Sequence, residues 1–144
     1  MVRVPGVFDA ERVAVVGATE REGSVGAAVM ENLVEDFDGE IRPGNPSADQ
    51  VFGLPCVDDV AETDADLAVI VVPPTVALDV VESAGRAGIE NLVVITAGFG
   101  EAGGEGAKRE RELQELAETY DLNLVGPNCL GVISTPRGLN ATFA

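Results

Sequence analysis

Histidine is absent from this 144-residue sequence, and so is tryptophan. Without an imidazole the chain lacks the side chain that most often serves as general base, metal ligand or phosphoryl acceptor near neutral pH. Any reaction that needs one must borrow it from elsewhere. Lysine occurs once, at Lys108, and nine basic residues stand against 25 acidic ones, for a formal net charge of −16. That balance argues against nucleic acid as a partner, because phosphate backbones are held by clusters of Lys and Arg. Aromatic residues make up only 4% while hydrophobic residues reach 46%, so a core must be assembled from Val, Ala, Leu and Ile, the usual filling of parallel sheets covered by helices. No apolar run approaches the roughly 18 residues that span a bilayer. No basic segment followed by an apolar signal core opens the chain, so the expected location is the cytoplasm, off the membrane. The two cysteines, Cys56 and Cys129, form no disulfide framework and are expected to be free thiols.

The acids that are present are scattered rather than massed. Glu31, Glu35, Asp36, Glu82, Glu110, Glu112, Glu115 and Glu118 fall along helical patterns. Either they form an interaction surface for a basic partner or they form a solvated coat suited to high salt. We take the second reading, since at 1 M salt the Debye length is about 3 Å and self-repulsion is screened. A halophilic source is the corresponding expectation.

A chain of this length is one domain by the usual prior and can bury a real core. Val13 to Val16 reads as a buried strand ending at Gly17. A loop through Gly23 leads to Ser24, a helix N-cap, and Val25, Val29, Leu33 and Phe37 then recur at helical spacing up to Gly39. A short strand at 40–42 enters the loop Pro43-Gly44-Asn45-Pro46-Ser47, with a short extended piece within 51–57 and a brief helix near 58–62. The run 67–72 is a continuous apolar strand stopped by Pro73-Pro74, and a helix over 75–87 closes at Gly88. A further strand at 92–95 meets the turn 96–100, and a charged helix over 106–120 places Leu113, Leu116 and Ala117 on one face. The last strand, 123–125, ends in the turn 126–131. Apolar strands separated by helices predict an α/β, Rossmann-like, doubly wound and mainly parallel sheet with helices on both faces. One domain over 1–144 is expected, with a loose N-terminal end at 1–11. The segment 135–144 carries little core signal and reads as an exit toward a second domain.

In open parallel sheets ligands bind beyond the carboxyl ends of the strands, and here those ends carry unusual turns. Gly17, Gly23 and Gly26 allow close backbone approach, while Ser24 opens a helix whose free N–H groups and dipole favour an anion. That suits a phosphate, although the same glycines also serve a tight strand-to-helix turn. Gly17 and Gly23 lie further apart than the G-x-G-x-x-G dinucleotide pattern allows. The tip of the second strand, Pro43-Gly44-Asn45-Pro46, has no acid until Asp49, which disfavours NAD because its ribose hydroxyls are usually held by a carboxylate there. Pro73-Pro74 is compatible both with helix initiation and with a rigid wall against a ligand. Phe99, set in a glycine turn, reads as exposed, with simple packing as the alternative. Asn128 can hold turn geometry through its side chain. Cys129 is not expected to be a nucleophile, since no histidine is present to activate it, and no metal site is expected.

Six segments taken together, Val13 to Thr19, Gly23-Ser24-Val25-Gly26, Asn45-Pro46, Val71 to Pro74, Ile95 to Phe99 and Gly126 to Gly131, resemble the coenzyme-A-binding domain of NDP-forming acyl-CoA synthetases. Within that family the likeness is to the N-terminal domain of ADP-forming acetyl-CoA synthetases and, more distantly, to the succinyl-CoA synthetase α subunit. The resemblance covers essentially the whole chain, Gly138 to Phe143 included. It implies that coenzyme A lies across the strand ends, against Gly17, Ala18, Thr19, Gly23, Ser24, Val25 and Gly26, the loop Asn45-Pro46-Ser47, the wall Val72-Pro73-Pro74, and Ile95, Thr96, Ala97 and Gly98. It places Pro127, Asn128 and Cys129 toward the reacting acyl group. Relatives often carry a lysine after the Asn-Pro pair where this chain has Ser47, and Arg21 and Arg42 are the candidate substitutes. It further implies that CoA is a substrate of an acid–CoA ligase, acetate being the leading acid. ADP or ATP, magnesium and the phosphohistidine relay would belong to a phosphohistidine domain and an ATP-grasp domain outside this chain, which alone would bind CoA without turnover. A noncatalytic CoA-binding regulatory module, such as one fused to an acetyltransferase, shares nearly every motif. An NAD(P)-binding oxidoreductase domain shares the fold.

Overall fold

The run Val13-Ala14-Val15 is fully buried because strand β1 (Arg12–Val16) lies inside a sheet covered on both faces, where no side of the strand can be polar. The computed structural model describes residues 9–134 and 138–143. In it β1 pairs in parallel with β2 (Glu40–Gly44) on one side and with β5 (Leu67–Ile70) on the other. Strands β6 (Asn91–Val94) and β7 (Asn123–Val125) continue the sheet, again in parallel, giving the order β2-β1-β5-β6-β7. Between β2 and β5 lie a two-stranded hairpin, β3 (Gln50–Val51) with β4 (Leu54–Pro55), and a short 3-10 turn at Val60–Glu62.

The period-two alternation of strand side chains sorts the core into two halves. Val13, Val15, Leu67, Val69 and Val93 face helix α1 (Val25–Asp36), meeting its Val29, Met30 and Leu33. Ala14, Ala68, Ile70, Leu92 and Val94 face the other way, toward Ala77, Val81 and Ala84 of α2 (Pro74–Arg86) and Leu113 of α3 (Glu105–Thr119). One helix on one face and two on the other make the expected doubly wound α/β sheet. No helix among the described residues is long and apolar enough to cross a membrane.

Three expectations change. Residues 139–142, read as carrying little core signal, form strand β9 (Leu139–Thr142), paired antiparallel with β8 (Gly131–Ser134). Leu139 and Ala141 join the α1 half of the core, and the Asn32 side-chain amide donates to the Thr142 carbonyl at 2.9 Å. Two alternate residues, Leu139 and Ala141, supply this burial, too few for a clear apolar pattern. Residues 135–137 and 144 of that segment lie outside the described residues, as do 1–8 of the expected loose N-terminal end. Ala10, however, is buried, and the amides of Glu11 and Arg12 donate to the Asp66 carboxylate at 2.9 and 3.0 Å. Phe99 is the largest fully buried side chain among the described residues, not an exposed turn residue. The turn folds it inward because α3 comes so close that a Cβ on Gly106 would lie 2.0 Å from the Phe99 carbonyl oxygen.

Candidate functional site

The chain leaves β1 toward α1 on one face and leaves the neighbouring β5 toward α2 on the other, so a crevice opens between their tips, where this strand order reverses direction. Gly17 and Val71 flank it. The Gly17 amide donates to Gly44 O at 3.0 Å and the Val71 amide to Val16 O at 2.9 Å. A Cβ on Gly17 (φ 97°) would meet Val71 Cγ2 at 2.9 Å, and one on Gly26 would meet Gly17 O at 2.3 Å. The first turn of α1 therefore presses directly on the β1 loop, a contact only glycine permits.

Ser24 caps that helix. Its Oγ accepts from the Ala27 amide at 3.2 Å and donates to Arg21 O at 2.7 Å. Thr19 Oγ1 accepts from the Arg21 amide at 3.1 Å. Among the described residues the amides of Val25 and Gly26 find no protein acceptor, which leaves two orphan donors at the positive end of a 12-residue helix.

The second loop is spent on itself. Asn45 Nδ2 donates to Ala18 O at 2.8 Å and Asn45 Oδ1 accepts from the Ser47 amide at 2.8 Å. The amides of Asn45 and Ala48 go to Val57 O and Asn45 O, at 3.0 and 3.4 Å. Pro46 has no N–H. What this loop offers a ligand is the exposed Ser47 hydroxyl.

Farther along the sheet edge, buried Thr96 donates through Oγ1 to Val72 O at 2.7 Å, with Ile70 O at 3.3 Å. Its hydroxyl joins the tips of β5 and β6 and is not free for a ligand. The Asn128 amide donates to Thr96 O at 3.0 Å, with Asn128 itself at φ 55°. Gly98 has φ 95°, and a Cβ there would meet Pro74 Cγ at 2.7 Å. The Gly98 amide donates to Glu101 Oε2 at 2.6 Å and the Phe99 amide to Glu101 Oε1 at 3.0 Å, while Arg109 Nη1 donates to Gly98 O at 3.2 Å. The Gly98 hydrogen bond, more than any other group, holds the Glu101 carboxyl below the ordinary carboxylate range. The half-buried Cys129 thiol donates to Val94 O at 3.4 Å, and burial pushes it above the usual thiol range.

These turns enclose a cleft of about 540 Å³, within the size range of small-molecule sites. It brings together Val25, Val72, Pro73, Pro74, Ile95, Thr96, Ala97, Asn128 and Cys129 from the expected set, together with Arg21, one of the two candidate substitutes, and adds Val71 and Phe143. Gly23 and Ser24 instead border a smaller neighbouring cavity of about 180 Å³, which shares Val25 and Phe143 with the cleft. Gly17, Ala18, Thr19, Gly26, Asn45, Gly98 and Pro127 shape the surrounding turns without lining the cleft, and Pro46 and Ser47 stand apart on the β2 loop. Phe143 was missed because it ends a segment without an apparent core pattern. Its period-two spacing with Leu139 and Ala141 was the available signal. Among the described residues no group of three or more Cys, Asp and Glu side chains is placed to hold a metal ion.

A model of the CoA-binding domain family matches residues 11–135. The chain belongs to that family. An ADP-forming acetate–CoA ligase of Methanocaldococcus jannaschii is 48% identical over 134 residues, covering 92% of this chain and 19% of the relative. The α subunit of ADP-forming acetate–CoA ligase II of Pyrococcus furiosus is 39% identical over 138 residues, covering 94% of this chain and 30% of that subunit. Among solved structures, the dinucleotide forming acetyl-coenzyme A synthetase 1 of Ca. Korarchaeum cryptofilum, in complex with phosphate and ADP, superposes with a TM-score of 0.93 at 38% identity. That match covers 99% of this chain and 31% of the other. This CoA-binding domain therefore spans a third or less of the length of these relatives, within a single long chain in one case and a separate subunit in another.

Proposed function

We propose that this domain binds coenzyme A across the tips of β1, β5 and β6 and serves an ADP-forming acid–CoA ligase, with acetate as the acid. One observation carries the reading: an apolar cleft opens at the reversal of strand order, beside a helix N-terminus with two unpartnered amides. The chemistry of the parts fits the ligand. Orphan amides and a helix dipole suit phosphate oxygens, and the wall of Val71, Val72, Pro73, Pro74 and Ile95 suits the uncharged pantetheine arm. Coenzyme A when bound supplies the thiol that accepts the acyl group. Asn128 and Cys129, at the far side of the cleft, would border that end. Cys129, protonated at neutral pH, stays out of the chemistry.

The chain has no histidine, so a phosphohistidine relay would lie in the remainder of the ligase, to which the family resemblance also assigns the ADP or ATP site and its magnesium. That remainder is the partner we assign, with the cytoplasm as the setting. Isothermal titration of the chain with CoA and with NAD tests the reading. CoA binding, no NAD binding and no ligase turnover by the chain alone are expected. Tight NAD binding with no response to CoA would overturn it.

A further inference from the structure

Among the described residues Arg21 is the one charged residue lining the cleft at the strand tips. It forms no ion pair among the described residues, although Glu20 and Glu22 flank it in sequence. The backbone beneath it is fixed: its amide donates to Thr19 Oγ1, and its carbonyl accepts from both the amide and the hydroxyl of Ser24, at 3.2 and 2.7 Å. The guanidinium thus springs from a held Cα at the entrance to α1, beside the two orphan amides.

The other described cations near the strand tips are occupied. Arg42, on β2, pairs with Glu40 at 2.9 Å and does not line the cleft. Arg109 donates to the Gly98 carbonyl. The β2 loop has no cation and has used its amides internally. The smaller cavity beside Ser24 carries the carboxyl-bearing Glu31, which repels an anion.

We propose that Arg21 is the residue that selects phosphate in this site, supplying a positive charge by which a strongly acidic protein holds the anionic end of its ligand. This inference rests on the CoA reading and goes beyond it by assigning the charge contact to the β1 loop instead of the β2 loop. A guanidinium and two backbone amides at one helix entrance provide the forked, charge-assisted donors that phosphate oxygens accept. Among the described residues no other group lining the cleft carries a compensating charge.

The test is calorimetric titration of CoA and dephospho-CoA into the parent chain and into Arg21→Gln, Arg21→Lys and Arg42→Gln, with a melting curve for each. Arg21→Gln is expected to weaken CoA binding about tenfold or more, the scale of a lost charge-assisted hydrogen bond. Arg21→Lys should restore part of it, and Arg42→Gln should stay within about twofold, as expected for an exposed ion pair outside the site. Melting temperature should not follow affinity, because the Arg21 side chain is exposed and its hydrogen bonds are made by backbone. A loss seen with CoA but not with dephospho-CoA puts the guanidinium at the 3′-phosphate, and an equal loss with both puts it at the diphosphate. Either supports the inference. If the parent binds CoA and Arg21→Gln binds it equally, or if Arg42→Gln shows the loss instead, the assignment of Arg21 falls while the site stands. If the parent binds no CoA, the site reading itself falls.

Discussion

Asn45 Nδ2 donates to the Ala18 carbonyl oxygen at 2.8 Å, tying the loop after β2 to the loop after β1. The same side chain accepts from the Ser47 amide, so one residue sets the spacing of two turns at the sheet edge. Ala18 is buried, and removing the donor leaves its carbonyl without this partner. Asn45→Ala is expected to cost about 1–3 kcal/mol of stability in urea denaturation and to weaken CoA binding. Unchanged stability would show that the tie is not needed.

Gly26→Ala sets two effects against each other. Alanine is the better helix former by about 1 kcal/mol, but its Cβ would lie 2.3 Å from the Gly17 carbonyl oxygen, a backbone atom that cannot swing away. Such overpacking costs about 1–3 kcal/mol and shifts α1 from the β1 loop. A lower melting temperature together with weakened CoA binding is expected. A higher melting temperature with binding intact would contradict the close approach.

Cys129 titrates late, chiefly because burial disfavours its thiolate. In a Cys56→Ser background its alkylation by iodoacetamide should be slow at pH 7 and should rise only at pH values above those of a free thiol. CoA should slow it further, since Cys129 borders the cleft. Fast alkylation at neutral pH would remove the argument that this sulfur stays out of the chemistry.

No acidic side chain among the described residues is buried. The groove between α2 and α3 gathers Asp79, Glu82, Glu112 and Glu115, and the chain as a whole carries −16. Self-repulsion of this kind is relieved by screening. The melting temperature should therefore climb as KCl is raised from dilute buffer toward molar concentration. A flat or falling curve would assign the acids to a basic partner instead.

The parallel strands were legible because both faces of the sheet are covered, so Val13 to Val16 and Leu67 to Ile70 read as unbroken apolar runs. Helix α1 was legible from Ser24 and the spacing of Val25, Val29 and Leu33. What was hidden depends on contacts distant in sequence. Leu139 and Ala141 are core residues only because β8 and α1 lie beside them, and Phe99 is core only because Gly106 lets α3 come close. The site shows the same division. Val72, Pro73, Pro74, Ile95 and Ala97 were identified from their motifs and do line the cleft. No pattern announced that the Thr96 hydroxyl would be spent on Val72 O, or that Asn45 would consume the donors of its own loop. That Arg42 is paired with Glu40 while Arg21 lines the cleft likewise needed the fold to be seen in space.

The most direct test of the account is an amide-resolved NMR titration of the chain with CoA. The largest shifts are expected at Gly17 to Gly26, Val71, Val72, Thr96 and Ala97, with little change at Asp79, Glu82 and Arg86 on the α2 surface. Shifts centred on that α2 surface, or none at the amides of Val25 and Gly26, would contradict a ligand held at the strand tips.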